Sequence, residues 1–598
     1  MAAAAVASLA GVAAGSTLSV LELRRRSSRG TPDGWPHSVH PVLQQVYAAR
    51  GVFGPAQVEH RLAHLLSPAT LGGMAQAVEL LVTAIRADWS ILIAGDYDCD
   101  GATGTTVAVR GLRMLGAKRV TYAVPNRFIH GYGLTPALVA SLQPVPQLIV
   151  TVDNGVSSVA GVAAAKALGI RVIVTDHHLP GVQLPAVDAM VNPNLSGDAF
   201  PSKALAGVGV MFYLLLALRA RLYPGDPADR GAVPGRGVPG GARPDLSTLL
   251  DLVALGTVAD LVPLDFNNRV LVAAGLQRIR SGRACAGINA LVSVAKRSVV
   301  TLSASDLGFA IGPRLNAAGR LEDMRVGVEC LLSDDDGQAY RHAEQLSAIN
   351  HERRELQAAM VAEAEQMVAS VQYTDAVGVV LYEPGWHPGV IGLVASKVKD
   401  RLHRPVVAFA PVSADAVDDL RGSARSIAGF HVRDALAAVD ARHPGLIARF
   451  GGHAMAAGLS LKRADYPRFA AAFDAVAREW LKAEQLQDVL YTDGELPVAA
   501  CSLDLARQLR DGGPWGQGFP APLFDNMFEC TGWKRMGTAH WRLQLRDPRD
   551  GSMQDAVMFN VDPQQAPPPR LRAVYELTVN EWQGRETARL LLRHIEPE

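Results

Sequence analysis

At 598 residues the chain is too long for one hydrophobic core, so three or four domains are expected. Lysine plus arginine and aspartate plus glutamate number 58 each, which leaves no global field for a polyanion, so any nucleic-acid site must be a local patch. The five cysteines are odd in number and include no Cys-x-x-Cys pair, which argues against structural zinc and for a reducing, cytoplasmic setting.

Residues 1–22 are alanine-rich and mildly apolar, but Arg24-Arg25-Arg26 follows the apolar run, whereas a signal peptide places its charges first. Residues 1–36 are read as a disordered extension, of the kind an early start codon adds. No segment supplies the ~20 apolar residues of a membrane span. Helical spacing over Val42–Gly51 and Ala56–Arg86 predicts a helical lead-in.

Ile91-Leu92-Ile93-Ala94 reads as a buried parallel strand and runs into Gly95-Asp96-Tyr97-Asp98-Cys99-Asp100-Gly101. If the backbone stays extended, a period of two turns Asp96, Asp98 and Asp100 to one side, where their repulsion calls for a cation. Cys99 then points the other way. Oxygen ligands suit Mg²⁺ or Mn²⁺, and Gly101-Ala102-Thr103-Gly104 opens a helix whose N-terminus can hold a phosphate. A solvated acidic turn is the competing reading. A helix over Thr105–Gly116 and a strand over Arg119–Val124 complete a βαβ unit. The loop Pro125-Asn126-Arg127-Phe128-Ile129-His130-Gly131-Tyr132-Gly133 either grips phosphate or a base, or is an ordinary Gly/Pro loop.

Gln147–Val152 is a further strand, ending at Asp153-Asn154-Gly155; a helix runs to Leu168, and the strand Arg171–Thr175 ends at Asp176-His177-His178. Three strands ending in potential ligands should meet at one crevice beyond the carboxyl edge of the sheet, with imidazole favouring Mn²⁺. Residues 223–245 are rich in Gly and Pro and read as a disordered insertion. The apolar helix Leu249–Thr257 delivers Asp260, an acid costly to bury unless paired or metal-bound.

Arg314, Asn316 and Arg320 lie in Gly312-Pro313-Arg314-Leu315-Asn316-Ala317-Ala318-Gly319-Arg320, read as a loop that binds a polyanion or pairs with Glu322 and Asp323. A helix from about Gln338 to Val371 connects to a second α/β unit. Its strands are Val377–Tyr382 and Pro405–Ala410, and a phosphate cradle is expected from Ser423, Arg425, Gly451, Gly452 and His453. Five β-like runs (525–534, 540–547, 553–560, 571–579, 585–594) suggest an OB-type barrel, in which Trp533, Trp541, Phe559 and Trp582 either stack bases or fill the core.

With these motifs in place, and with Thr257-Val258-Ala259-Asp260 and Gly451-Gly452-His453-Ala454-Met455-Ala456-Ala457-Gly458 among them, the sequence resembles the DHH phosphoesterase superfamily. Within it the likeness is to bacterial exonucleases specific for single-stranded DNA, from about residue 38 to the end. Pattern and resemblance together imply an α/β protein. A DHH catalytic domain with a mainly parallel sheet occupies 37–330, a long connecting helix 331–372, an α/β DHHA1 domain 373–480 and an OB-like β-barrel 481–598.

The resemblance implies a 5′-to-3′ exonuclease using two Mn²⁺ or Mg²⁺ ions, degrading single-stranded DNA to mononucleotides in DNA repair and recombination. It makes Asp98, Asp100, Asp153, His177 and Asp260 the metal ligands, with Asp153 bridging, and Asp96, Asp176 and His178 supporting ligands or substrate contacts. Arg127, Tyr132, Arg314, Ser423 and Arg425 would hold the 5′ end. Many relatives carry histidine in place of Ala94, so one ion has fewer protein ligands here. A monomer, with a single-strand-binding protein and a DNA helicase as partners, completes the expectation. The rival readings are a DHH phosphodiesterase of short oligoribonucleotides or cyclic dinucleotides, a silent single-strand-binding protein, and an inactive scaffold. The chain has no G-x-S-x-G elbow and no P-loop lysine, which tells against acyl hydrolase and ATPase chemistry.

Overall fold

The structure, a computed structural model, describes residues 21–27, 34–126, 130–224, 243–370, 375–537, 539–562 and 564–598. Five short apolar runs pair in parallel: β1 (Ile91–Ala94), β2 (Val120–Ala123), β3 (Leu148–Val152), β4 (Arg171–Thr175) and β5 (Ala189–Val191). Their order is β2-β1-β3-β4-β5. Ile91 and Ile93 enter one hydrophobic core while Leu92 and Ala94 enter another, so alternate side chains are buried on both faces. The chain reverses direction across the sheet between β1 and β3. That switch point opens a crevice at the carboxyl ends of these two strands.

Helix α1 (Cys99–Met114) packs against two nearly wholly buried helices, α2 (Gly207–Leu222) and α3 (Leu250–Ala259). Helices α4 (Ala286–Val294), α5 (Gly312–Leu321) and α6 (Asp336–Val368) follow. The 314–320 motif read as a loop is therefore helical, entered through a π-helical turn at Leu307–Ile311. Asp335 caps α6 by accepting the Gln338 N–H at 2.6 Å, and its 33 residues span about 50 Å at ~1.5 Å per residue.

The unit beyond α6 has a mixed sheet: β6 (Val379–Tyr382), β7 (Val406–Pro411), β8 (Asp419–Arg425), β9 (Arg449–Gly452) and β10 (Ala456–Lys462), in the order β9-β10-β8-β7-β6. Its cores are separate from the catalytic one. The closed barrel comprises β11 (Phe524–Met536), β12 (His540–Arg546), β13 (Met553–Phe559), β14 (Arg570–Trp582) and β15 (Arg585–Pro597), and its interior is continuous with the catalytic core. Trp541 is 3% exposed and belongs to that core, so it cannot stack a base; Trp533 and Trp582 stand out at 41% and 70%.

Two expectations for the lead-in need correction. Pro55, Pro68 and Gly72-Gly73 break the 56–86 stretch into three short 3₁₀ turns before the helix Met74–Arg86. Within 1–36, residues Glu22–Arg25 form a strand paired in parallel with Val489–Thr492, because the arginines find buried acids. Arg25 reaches Asp525 at 2.8 Å and Arg26 lies 3.5 Å from Asp493. Residues 1–20 and most of the 223–245 insertion fall outside the described residues. Among those described, no single helix is long and apolar enough to cross a membrane.

Candidate metal centre

The acidic stretch does not continue β1. Asp98 leaves the strand as the N-cap of α1, its Oδ1 accepting the Gly101 N–H at 2.9 Å, and Asp100 occupies the first helical turn. The expected alternation along an extended strand is therefore absent. The carboxylates converge because the chain turns sharply into a helix. Asp100 is buried and accepts the N–H groups of Gly207 (2.6 Å) and Val208 (2.9 Å), which open α2. A Cβ at Gly207 would sit 2.5 Å from that of Asp153, so only glycine lets α2 approach this closely.

Asp153 follows β3 at φ 64°, a left-handed conformation costing of order 1 kcal/mol for a non-glycine residue. Asn154 fixes it by donating to the carbonyls of Ala94 (3.1 Å) and Val152 (2.9 Å). After β4, Asp176 accepts four hydrogen bonds: from the backbone of Val156, His177 and His178, and from the His178 ring Nδ1 at 2.8 Å. Asp260 is the C-cap of α3.

His177 Nε2 lies 3.0 Å from Asp153 Oδ1, 3.5 Å from Asp260 Oδ2 and 3.9 Å from Asp100 Oδ2. Three overlapping sets place their donor atoms within 4.8 Å of one another: Asp96, Asp98 and Asp153; Asp153, His177 and His178; Asp100, His177 and Asp260. Asp153 and His177 are each shared by two of them. Asp153 Oδ1 and His177 Nε2 are buried and make no hydrogen bond. Buried polar atoms that the protein leaves unsatisfied, in a set of carboxylates with one or two imidazoles, fit a pair of divalent cations such as Mn²⁺ or Mg²⁺.

The electrostatics agree. Burial, then the neighbouring carboxylates, push Asp153 and Asp260 well above the usual carboxylate range. Burial and Asp98 raise Asp100 to about 7, against the Val208 and Gly207 N–H groups. Burial and the charge of His178 take His177 down to about 4, leaving a neutral ring whose Nε2 can act as a ligand. Burial also opposes charge on His178, but the hydrogen bond and charge of Asp176 override it and bring His178 up to about 9.

The Tyr132 hydroxyl is 3.5 Å from both the Asp153 carbonyl and His178 Nε2, and the Tyr97 ring meets the Tyr132 ring edge-on at 5.9 Å. From the second unit, the His453 ring stacks on His178 at 5.8 Å and 19°. Arg320 reaches the Gly389 carbonyl at 3.4 Å, tying α5 to that unit. Ser423 and Arg425 lie on β8, not in a loop, with Arg425 Nη1 donating to Ser423 Oγ at 3.0 Å. A Cβ at Gly392, in the first turn of the helix Ile391–Leu402, would fall within 3 Å of both side chains. Gly451 and Gly452 are exposed on β9.

Asn316 does something other than hold an anion with its carbonyl, which accepts the Cys99 N–H at 2.7 Å and so steadies the start of α1. Arg314, two residues earlier and hence on the opposite side of α5, donates to the Ala310 carbonyl instead of turning to the carboxylates. Arg127 lies outside the described residues. Sequence reading missed Gly207, Val208, Asn154 and Asn192, the last of which holds the His178 carbonyl at 2.9 Å. Gly207 and Val208 have no side-chain donor and sit in a helix that is apolar up to its last turn, and an asparagine after a strand reads as a turn residue, so pattern alone gave no pointer to these roles.

Comparison with known proteins follows the same division. The DHH family N-terminal domain matches residues 90–257, the DHHA1 domain 374–482 and the RecJ OB domain 492–594. The single-stranded-DNA-specific exonuclease RecJ of Dickeya dadantii is 50% identical over 97% of this chain and 99% of its own length. Crystal structures of RecJ from Thermus thermophilus, one with Mn²⁺ and one with Mg²⁺, each cover 94% of this chain. The first covers 76% of its own chain (TM-score 0.76, 30% identity) and the second 75% (TM-score 0.72, 29% identity). With half its residues identical to a relative matched almost end to end, the chain belongs to the RecJ family.

Proposed function

We propose that this protein is a metal-dependent exonuclease of single-stranded DNA, working from the 5′ end to release mononucleotides in DNA repair and recombination. The observation that carries it is the shared pair Asp153 and His177, buried and unsatisfied between donor sets that suit two cations. Asp98, Asp100, Asp153, His177 and Asp260 are the ligands in this reading, while Asp176 orients the His178 ring and anchors the His177 backbone. Bound there, two divalent ions supply positive charge against the scissile phosphate and lower the pKa of the attacking water. Gly207 and Val208 hold Asp100, Asn154 holds the Asp153 turn, and Tyr132 and His453 flank His178.

Selectivity for single strands follows from the closeness of the two units, which approach to a ring stack at His178 and His453. One strand can thread such a cleft, whereas a duplex is too wide unless unwound. Ser423 and Arg425 beside a helix N-terminus offer a terminal phosphate a hydroxyl, a guanidinium and backbone N–H groups, so we place the 5′-end pocket there. A single-strand-binding protein and a DNA helicase are the partners this role calls for. The test is incubation with Mn²⁺ and 5′-labelled single-stranded DNA, blunt duplex and short RNA in parallel. The reading expects mononucleotides from the single strand; equal rates on the duplex, or digestion from the 3′ end, would overturn it.

A further inference from the structure

Helices α1 and α3 carry acids of the metal centre at opposite termini: Asp98 and Asp100 open α1, and Asp260 closes α3. The two helices pack side by side, and their other ends meet at a second cavity. Arg110 lies ~15 Å along α1 from Asp100, at ~1.5 Å per residue. The cavity, about 320 Å³, is lined by Arg110, Arg113 and Met114 of α1, by Leu249 and Leu252 at the start of α3, and by Arg278 of the helix Phe266–Arg280. Leu332 and Asp334 complete one wall. Three guanidinium groups thus share one cavity with a single acid. Asp334 pairs with Arg110 at 2.8 Å but is 86% exposed, so it sits on the rim, where water screens its charge.

The donors around this cavity are not used up. Arg110 gives Nη2 to the carbonyls of Leu331 (3.2 Å) and Leu332 (3.0 Å), which close the helix Arg325–Leu332, yet its Nε is buried without a hydrogen bond. Arg278 Nε is likewise buried and unbonded. Asp251 Oδ1 lies 3.8 Å from it, beyond hydrogen-bond reach, and that carboxylate already accepts the N–H groups of Leu252 (3.0 Å) and Cys285 (2.7 Å). Arg113 is exposed and gives one N–H to the Val120 carbonyl at 3.1 Å. A guanidinium carries several donors, so each arginine keeps some for an oxyanion. Buried donors without acceptors are costly, and a phosphate would satisfy them. The remaining wall indicates what the phosphate is attached to. Leu249 and Leu252 are buried and Met114 and Leu332 half-buried, an apolar surface that a bare ion leaves uncovered and a nucleoside covers. A water occupies about 30 Å³ of liquid, so the cavity holds far more than an inorganic ion. Among the described residues no aromatic ring lines it, so preference among bases should be slight.

We propose that this cavity binds a nucleoside 5′-monophosphate, the class of molecule the reaction releases, as a second product site at the far ends of the two helices that carry metal-centre acids. The choice of ligand rests on the exonuclease reading, whereas the arginines call for a phosphate in any case. Metal-free full chain is titrated by calorimetry with dCMP, deoxycytidine and inorganic phosphate, alongside the variants Arg278→Gln, Arg113→Gln and Arg425→Ala. dCMP binds, phosphate binds about tenfold more weakly, and deoxycytidine does not bind. Each glutamine variant weakens dCMP about tenfold, through loss of one charge-assisted contact, while Arg425→Ala, in the 5′-end pocket, keeps this site. Hydrolysis of a single strand by the two glutamine variants, before product accumulates, stays within twofold of wild type. Arg113 is exposed, so its variant carries the test if Arg278→Gln fails to fold. Unchanged dCMP affinity in the folded glutamine variants, or loss of all dCMP binding in Arg425→Ala, would overturn the site; equal affinity for phosphate and dCMP would overturn the nucleotide as its ligand. Wild-type protein that releases no mononucleotides from single-stranded DNA would instead sink the exonuclease reading, and the calorimetry would still judge the cavity.

Discussion

Asp153 and Asp176 are both 1% exposed and both follow central strands of one sheet, yet the chain treats them oppositely. Asp176 collects four hydrogen bonds, and those bonds with the charge of His178 hold its carboxyl below the usual range despite its burial. Asp153 keeps one oxygen without a hydrogen bond and is held well above that range, at the expense of a left-handed backbone. A satisfied buried carboxylate is a fixed support, whereas an unsatisfied one next to a neutral imidazole is an opening for a ligand from outside the chain. The two loops differ accordingly: one fixes the His178 ring, and the other leaves a buried carboxylate oxygen open to a ligand.

The sharpest break in this comparison is Asp153→Ala, which should lower hydrolysis by at least about three orders of magnitude while the cation-free melting temperature holds or rises, since it removes buried repulsion. A variant keeping a tenth of the activity under saturating Mn²⁺ would refute the assignment. Asp176→Asn should do less to turnover, about 10- to 100-fold, but should lower the melting temperature, because a buried acceptor of charged hydrogen bonds is impaired. Equal thermal profiles for the two variants would erase the distinction drawn between the loops.

Acidity separates them further. Asp100, Asp153 and Asp260 have folded pKa values raised above their unfolded ones, so their contribution is fully present below about pH 4 and is lost as pH rises, for Asp100 through about 7. His178, raised to about 9, contributes fully below its unfolded value near 6.5 and loses that contribution only as pH climbs through 9. His177, lowered to about 4, works the other way over the same range, its contribution being complete above 6.5 and lost as pH falls. The profile to read is therefore wild type minus Asp153→Asn. In EDTA the wild type should lose stability relative to the variant from pH 5 to 7, and Mn²⁺ should reverse that loss. A flat profile would count against buried repulsion. The smallest expected effect is at the far wall: Arg425→Ala should shrink the preference for 5′-phosphorylated over 5′-hydroxyl strands a few-fold, by loss of one charge-assisted contact. An unchanged ratio of degradation rates would move the end pocket elsewhere.

Much of this site was legible because its chemistry sits at strand ends. Apolar runs such as Leu148–Val152 and Arg171–Thr175 announce their limits, and the Asp or His after them must emerge at one edge of a parallel sheet. The turn at Asp98 was misplaced by two residues, with the helix opened at Gly101 instead of Cys99, because two glycines and a threonine are weak helix formers and blur the start behind a good N-cap. Ser423 and Arg425 looked like loop residues for the same reason, their glycine neighbour masking a strand that alternates buried and half-buried positions. The supports of the ligands stayed invisible. Whether Gly207 faces Asp153 or solvent depends on packing between segments far apart in the sequence, which no local pattern encodes.

The contact between the two ends of the chain has a consequence in time. Arg50 is paired with Asp493 at 2.7 Å across 443 residues of sequence, and the strand Glu22–Arg25 has its partner at Val489–Thr492. During synthesis these early residues leave the ribosome long before their partners exist, and at ~5–20 residues per second they wait for at least tens of seconds. The apolar lead-in, with Trp35 and Tyr47 stacked and Tyr47 beside Trp515, stays uncovered for that interval. A segment made late thus completes one made early, and a nascent chain stopped short of the barrel carries an open seam that a chaperone or protease can find.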